Sequence, residues 1–232
     1  MIEDAFLKKQ SQLDFVNDKQ ERCRIIFSSM EEHHGSDVRA IRRKVVDSLL
    51  PDTWEPSDQN CKRVTLQSSS KEYQDVLKQF NSTMHGQHLQ IIKIERIQNE
   101  RWYKQYTAHR DEYKRRYENL DERLLFHGCT GISANQIIQE CFNRSFAGVN
   151  GVAYGCGVYF SSNASYSHTY AKPSVLGERT MFLARVLIGR THQGNQSMKV
   201  PPAGYDTTTD GHHIFVVYHD AGAYADHLIT YQ

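Results

Sequence analysis

The chain has 232 residues and a mass of 26.9 kDa, which suits one large domain or one domain with a small extension. Its 28 Lys and Arg residues nearly balance 27 Asp and Glu residues, so no global field attracts the chain to nucleic acid or to an anionic membrane. A hydrophobic content of 39% predicts a globular protein and argues against intrinsic disorder.

Composition also predicts a cellular location. The five cysteines are unevenly spaced, at positions 23, 61, 129, 141 and 156, which fits a reducing compartment better than a disulfide scaffold. No apolar run approaches the roughly 20 residues of a membrane-spanning helix, and the start of the chain lacks the basic and apolar regions of a secretory signal. We therefore expect a soluble protein of the cytoplasm or the nucleus.

Residues 1–50 predict a helical N-terminal extension. An apolar cluster over 25–27 follows an amphipathic start, and Ser36 can cap a further helix that a proline ends. One face of that helix carries Val38, Ile41, Val45 and Leu49. Residues 51–58 hold two prolines among polar turn formers and are the best candidate linker, so the larger domain is placed at 51–232.

The larger domain alternates between strand-like and helix-like segments. Short apolar runs predict strands at 63–66, 89–97, 124–126, 158–160, 180–188, 214–218 and 228–231. Helices are expected after Ser69 or Ser70, from Asn99, and from Ser133, which can form a capping box with Gln136. The segment before 214, with its run of threonines at 207–209, is expected to be an exposed excursion.

An ordered set of residues in the second half suggests a binding site. The strand 124–126 leads into His127 and Gly128, a glycine-rich loop precedes Tyr159, and Tyr170 follows eleven residues later. An enzyme that breaks the nicotinamide bond of NAD must hold the ring against aromatic faces. It must also bind the carboxamide through closely approaching backbone, and hydrogen-bond the ribose hydroxyls. Singly these are ordinary strand-end or core residues, but their joint order predicts an NAD-type site.

From about Trp54 to Gln232 these motifs resemble the catalytic domain of poly(ADP-ribose) polymerase-like ADP-ribosyltransferases, the diphtheria-toxin type with a His-Tyr-Glu triad. The closing segment 223–231 resembles the end of tankyrases and of the mono-ADP-ribosylating branch. The resemblance implies an α+β fold with two antiparallel β-sheets, flanking helices and an NAD cleft, besides the N-terminal helical extension. It also implies NAD as co-substrate.

The resemblance assigns expected roles to individual residues. His127 resembles the triad histidine that hydrogen-bonds a ribose hydroxyl, and Gly128 the glycine that binds the nicotinamide carboxamide through its backbone. Ser167 matches the serine that completes this clamp. Tyr159 resembles the triad tyrosine on one face of the nicotinamide, and Tyr170 the stacking tyrosine on the other. Contacts to adenosine and pyrophosphate are implied for the loop residues Arg144, Asn150 and Tyr154.

Two positions depart from the family pattern. Ile214 opens the strand 214–218 where the family has the triad glutamate, and Cys129 stands where Ser or Thr is usual. Isoleucine cannot accept a hydrogen bond from a ribose hydroxyl or polarise an incoming hydroxyl. We therefore expect transfer of a single ADP-ribose to a protein side chain, Glu or Asp, without polymer elongation. Acceptor proteins are the expected partners, and the chain itself is one candidate.

Other functions remain open at the level of sequence. The chain can instead be a catalytically silent module that binds NAD, ADP-ribose or a partner protein, and the neutral charge neither supports nor excludes an RNA end as acceptor. Nucleic acid and membrane partners are not indicated. No metal is expected, because the adjacent pairs His33-His34 and His212-His213 point apart on a helix or strand and no Cys-x-x-Cys accompanies them.

Overall fold

The computed structural model describes residues 2–17, 19–41, 50–84, 89–146 and 151–232. The chain divides into two compact units, residues 1–48 and residues 49–232. No helix within the described ranges is long and apolar enough to cross a membrane.

The N-terminal unit is mainly β-structure. After helix α1 (Ile2–Leu7), four strands form an antiparallel sheet in the order β1-β2-β3-β4. Their bounds are β1 (Gln12–Val16), β2 (Arg22–Ile26), β3 (Glu31–His34) and β4 (Asp37–Ala40).

The prediction of a helical N-terminal extension is therefore wrong for most of this unit. In β2, Cys23 and Ile25 are buried while Arg22 and Arg24 are exposed, so buried and exposed residues alternate with the period of a strand. The helix predicted from Ser36 begins instead with strand β4, and its remaining part, at 42–49, lies outside the described residues.

The larger unit combines nine strands with four helices among its described residues. The strands are β5 (Cys61–Thr65), β6 (Ile91–Asn99), β7 (Glu122–Cys129), β8 (Val158–Ser161), β9 (Arg179–Leu187), β10 (Thr191–Gln193), β11 (Thr207–Thr209), β12 (Ile214–Val217) and β13 (Ala223–Tyr231). The helices are α2 (Lys71–Thr83), α3 (Glu100–Arg116), α4 (Gly131–Glu140) and α5 (Ala164–His168). Short 3₁₀ turns cover Arg144–Phe146 and Asp220–Gly222.

The strands follow the order β10-β11-β12-β8-β7-β9-β13-β6-β5, and every neighbouring pair is antiparallel except β10 with β11. Between β7 and β8, Phe126 opposite Ser161 is the one pair within the described residues. The sheet therefore consists of a four-stranded and a five-stranded part that meet at a single point. The predicted α+β class with antiparallel sheets and flanking helices is confirmed for this unit.

Side chains cap the helices as their positions in the sequence require. Ser70 Oγ accepts the Tyr73 N–H at 3.2 Å, and Asn99 Oδ1 accepts the Trp102 N–H at 3.3 Å, as predicted for α2 and α3. Helix α4 differs, because Thr130 Oγ1 accepts the Ser133 N–H at 3.1 Å. The predicted cap at Ser133 is wrong by one turn, since the threonine directly after β7 already supplies the oxygen.

The threonine run before β12 is buried. Thr207, Thr208 and Thr209 form β11 and are at most 9% exposed, so the prediction of an exposed excursion is wrong for these residues. Their hydroxyls are satisfied internally: Thr207 donates to the Ile188 carbonyl at 2.9 Å and Thr208 to the Tyr154 carbonyl at 2.6 Å. A β-branched residue with a paired hydroxyl is compatible with a buried strand.

An ionic network around the buried His227 and Asp226 joins α2 to β13. His227 Nε2 lies 2.8 Å from Glu72 Oε1, and His227 Nδ1 lies 3.4 Å from Asp226 Oδ2. Arg96 Nη1 contacts Glu72 at 2.6 Å, and Arg185 Nε contacts Asp226 at 3.1 Å. Burial acts to lower the pKa of His227, but the two carboxylates outweigh it and raise this pKa to about 9. His227 is therefore a buried cation at neutral pH.

This cation predicts a pH-dependent stability. Because the pKa of His227 rises from 6.5 to about 9 on folding, its contribution is fully present below pH 6.5 and is lost as the pH rises through 9. This difference between the folded and unfolded pKa corresponds to about 3 kcal/mol in the free energy of unfolding. Between those pH values the free energy of unfolding should fall more for the wild type than for His227→Gln, measured by urea denaturation with tryptophan fluorescence. Parallel pH profiles for the two proteins would contradict this assignment.

Candidate active site

The divergence of β7 and β8 creates the site. If the ladder continued beyond Phe126 and Ser161, His127 would pair with Phe160 and Gly128 with Tyr159, but these pairs do not form. Instead the His127 ring reaches across, and its Nδ1 lies 2.8 Å from the Tyr159 carbonyl oxygen. A side chain thus satisfies a polar group near the point where the backbone ladder ends.

A cavity of about 500 Å³ lies beside this opening, a volume suited to a small-molecule ligand. Its walls come from β7, helix α4, the chain leading into β8, and helix α5 with the residues after it. The lining residues are His127, Gly128, Cys129, Thr130, Ser133, Gln136, Ile137, Glu140, Cys141, Phe142, Asn143, Gly151, Ala153, Tyr154, Gly157, Val158, Tyr159, Phe160, Tyr166, Ser167, Tyr170 and Lys172.

His127 presents a hydrogen-bond acceptor to a ligand. A carbonyl oxygen only accepts, so Nδ1 must carry the proton that it shares with Tyr159. Burial lowers the pKa of His127, outweighing this hydrogen bond, so the ring is neutral at pH 7. Nε2 then bears a lone pair, and among the described residues it has no hydrogen-bond partner. It can accept a hydrogen bond from a hydroxyl group of a ligand.

Gly128 allows α5 to approach the edge of β7. A Cβ built on Gly128 would overlap the carbonyl oxygen of Ser167, so no other residue fits without moving backbone. Ser167 is buried, and its hydroxyl donates to the Phe126 carbonyl at 3.2 Å. The same Ser167 carbonyl accepts the Tyr170 N–H at 3.1 Å, which places Tyr170 at the cavity wall.

Three tyrosines of the cavity, Tyr159, Tyr166 and Tyr170, form hydrogen bonds through their hydroxyl groups. Tyr159 Oη accepts the Tyr154 N–H and donates to the Gly155 carbonyl, each at 2.9 Å, so it anchors the loop before β8. The hydroxyls of Tyr166 and Tyr170 lie 3.0 Å apart. Burial raises the pKa of Tyr159, and burial together with the hydrogen bond to Tyr170 raises the pKa of Tyr166. Tyr159 and Tyr166 therefore present neutral aromatic surfaces to a ligand.

Few charges reach the cavity. Burial raises the pKa of both Cys129 and Cys141 to about 12, so these lining thiols stay protonated. With His127 neutral, Glu140 and Lys172 are the two charged residues among the described part of the lining. Glu140 lies on α4 with Arg101 Nη2 at 3.4 Å from its Oε2. Lys172 is exposed and follows Tyr170 by two residues along the chain.

Ile214 lies behind the cavity wall. It is 4% exposed and packs with Val216, Tyr218 and Tyr166, and it faces the same side of the sheet as Tyr159. Its backbone N–H donates to Asp210 Oδ1 at 2.9 Å. Burial acts to raise the pKa of Asp210, but this N–H and those of the two preceding residues outweigh it and lower the pKa. The Asp210 carboxylate is thus already hydrogen-bonded by three backbone N–H groups of its own turn.

The structure brings six of the predicted site residues to one cavity: His127, Gly128, Tyr154, Tyr159, Ser167 and Tyr170. Arg144 is not among the described lining residues, because its Nη1 donates to the Tyr218 carbonyl at 2.8 Å and its side chain braces the end of β12. Asn150 lies outside the described residues.

Sequence reasoning missed the α4 wall. Ser133, Gln136, Ile137 and Glu140 all line the cavity, and they follow the i, i+3, i+4, i+7 spacing of one helical face. The sequence could have indicated this wall, because a helix with a mostly polar face follows shortly after His127 and Gly128. Tyr166 and Lys172, at either side of the predicted Ser167 and Tyr170, were also missed.

The close contact at Gly128 predicts a sharp difference between two glycines. Gly128→Ala should lower the free energy of unfolding by about 2 kcal/mol or more, because the new methyl must displace the Ser167 backbone. Gly131→Ala should be neutral or slightly stabilising, since a Cβ there meets nothing within 4 Å and Gly131 begins α4. Urea denaturation of both variants checks this, and equal stability would contradict the packing described.

Comparisons with known proteins show the family to which the chain belongs. The family model for the poly(ADP-ribose) polymerase catalytic domain matches residues 70–211, a range that includes the described cavity wall and ends before Ile214. Protein mono-ADP-ribosyltransferase PARP14 of Homo sapiens is 38% identical over 214 residues, 86% of this chain and 12% of that protein.

Two further relatives are also named protein mono-ADP-ribosyltransferases. PARP12 of Homo sapiens, also named a protein mono-ADP-ribosyltransferase, is 38% identical over 78% of this chain and 28% of its own length. PARP10 of Mus musculus, with the same description, is 36% identical over 71% of this chain and 19% of its own length. The chain thus spans less than a third of each of these three relatives. On the family match and these identities, the chain belongs to the poly(ADP-ribose) polymerase catalytic domain family.

Proposed function

We propose that the chain transfers a single ADP-ribose from NAD to a carboxylate side chain of an acceptor protein and releases nicotinamide. The observation that carries the proposal is the convergence of His127, Gly128, Tyr159, Ser167 and Tyr170 on one cavity. The relatives named mono-ADP-ribosyltransferases support the same reaction class.

The wall chemistry fits NAD as substrate. The cavity wall at Tyr159 and Tyr170 is aromatic and uncharged, which suits a flat cationic ring. Gly128, which has no side chain, and Ser167 line the same cavity and would bind the carboxamide. The lone pair of His127 Nε2 would accept a hydrogen bond from a ribose hydroxyl, which orients the sugar and stabilises charge that develops on it.

The missing glutamate favours a carboxylate as acceptor. When nicotinamide leaves with the electron pair of its bond to ribose, C1 of the sugar becomes electron-deficient, and an acceptor oxygen bonds to it. A hydroxyl nucleophile must also lose a proton, whereas a Glu or Asp carboxylate has none to lose. Ile214 cannot take a proton, and the side chain of the neighbouring Asp210 is only 8% exposed and is held by backbone N–H groups. Neither Ile214 nor Asp210 can therefore serve as the base for elongation through ribose hydroxyls.

NAD cleavage tests the proposed function. The wild type should release nicotinamide from labelled NAD, and His127→Ala should reduce kcat/KM about 10²-fold or more, because the ribose loses its hydrogen-bond acceptor. His34→Ala, an exposed histidine of the N-terminal unit, should leave the rate unchanged. If NAD raises the melting temperature but no nicotinamide appears, the chain is a silent NAD-binding module. Absence of both effects would leave a protein-interaction scaffold.

The linkage of the product tests the acceptor class. Mass spectrometry of the modified acceptor, with the chain itself as the first candidate, should find one ADP-ribose per modified site, on Glu or Asp. Neutral hydroxylamine should remove it, because esters are cleaved and most nitrogen glycosides are not. Long polymer, or label that resists hydroxylamine, would contradict the reasoning from Ile214.

A further inference from the structure

The turn between α5 and β9 presents two aliphatic side chains to solvent. Val175 is 103% exposed and Leu176 is 74% exposed, the former the most exposed of the large hydrophobic residues described. We call these two residues the apolar tip. Single exposed aliphatic residues are common, but two adjacent ones at the end of a turn form a small contact surface.

The apolar tip is held out by an ordered backbone. The Ser174 N–H donates to the Glu178 carbonyl at 2.7 Å, and the Gly177 N–H donates to the Ser174 carbonyl at 3.0 Å. The Leu176 N–H also donates to Ser174 Oγ at 3.2 Å. Gly177 has φ +82°, which a residue with a side chain rarely adopts. The backbone that carries the two side chains is therefore ordered before binding, which reduces the conformational entropy lost on binding.

The apolar tip also lies close to the cavity. Lys172 lines the cavity, and Val175 follows it by three residues, so their Cα atoms are at most about 11 Å apart. At the base of the turn, Arg179 Nη1 donates to the Ala171 carbonyl at 2.6 Å, which holds the two ends of the segment together. A protein segment that enters the cavity past Lys172 is thus within reach of the tip.

Charge indicates what kind of segment this is. Lys172 is the one cation among the described lining residues, it is exposed, and it has no salt-bridge partner in the described part of the chain. The nearby Arg179 already donates a hydrogen bond to the Ala171 carbonyl. Glu178 is separated from Lys172 in sequence by the whole turn. An incoming carboxylate would therefore meet an unpaired ammonium group at the wall that holds Tyr170.

We propose that the apolar tip and Lys172 form a docking site for the acceptor segment of a protein substrate, one with an acidic residue flanked by aliphatic or aromatic residues. This rests on the proposed function and names its substrate class. Lys172 attracts the carboxylate, and Val175 and Leu176 bury the flanking apolar side chain. A second copy of the chain is a poorer occupant, because two side chains cannot supply the roughly 1,000 Å² of a stable interface.

Two labelled synthetic peptides test the docking site. They share one glutamate and differ only in its flanking residues, which are leucine in one and serine in the other. Fluorescence anisotropy measures binding, and transfer from NAD measures kcat/KM. The wild type should bind and modify the leucine peptide about tenfold better than the serine peptide, the effect of burying part of one aliphatic side chain. Equal values for the two peptides would overturn the proposal.

Variants assign the effect to the turn. The double substitution Val175→Ser and Leu176→Ser should remove the preference for the leucine peptide, and Val200→Ser, a 61% exposed valine elsewhere, should retain it. Lys172→Gln should weaken binding of both peptides several-fold and reduce its salt dependence. Nicotinamide release without peptide should be unchanged in the double variant. A retained leucine preference in that variant would overturn the proposal.

Two controls distinguish peptide docking from self-association and from a loss of activity. If the double substitution changes the sedimentation of the protein at concentrations used in the assay, the tip is a self-association surface and the proposal is wrong. If the wild type releases no nicotinamide, the proposed function fails, but the anisotropy comparison still decides whether acidic, apolar segments bind at the tip.

Discussion

The single pairing of Phe126 with Ser161 is the constraint on which the site depends. Because the two parts of the sheet meet there and separate beyond it, the backbone of His127 and Gly128 is not covered by β8, and a cavity opens beside it. The cost of the interrupted ladder is reduced by the His127 ring, which hydrogen-bonds the Tyr159 carbonyl. The same contact fixes the tautomer of the imidazole, so a structural requirement also prepares a ligand-binding atom.

On the proposed function, Ile214 in place of a glutamate narrows the range of acceptors and leaves the cavity intact. Its side chain fills an apolar cluster with Val216 and Tyr166, and the nearby Asp210 carboxylate is occupied by the turn that begins β12. The aromatic and backbone groups that would grip NAD come from β7, β8 and α5. On the proposed function, the chain keeps the groups that break the nicotinamide bond. The acceptor supplies a nucleophile that is already negatively charged, so no base is needed.

The sequence predicted the larger unit well because its motifs are ordered and its strands are strongly apolar. It failed where the local signal was short or ambiguous. In β2, Cys23 and Ile25 alternate with arginines over only five residues, and the adjacent Ile26 and Phe27 suggested a helix. The buried hydroxyl groups of Thr207–Thr209 need hydrogen-bond acceptors that are distant in sequence, such as the Tyr154 carbonyl. The orientation of Arg144 toward the Tyr218 carbonyl is likewise a tertiary effect, which spacing along the chain cannot reveal.

The central claim is that the gap between β7 and β8 holds a nicotinamide ring. A crystal structure of the chain with nicotinamide tests it most directly. We expect the ring between Tyr159 and Tyr170, with its carboxamide bound to the Gly128 backbone and the Ser167 hydroxyl. A structure in which nicotinamide binds elsewhere, or in which β7 and β8 pair continuously beyond Phe126 and Ser161, would contradict the account.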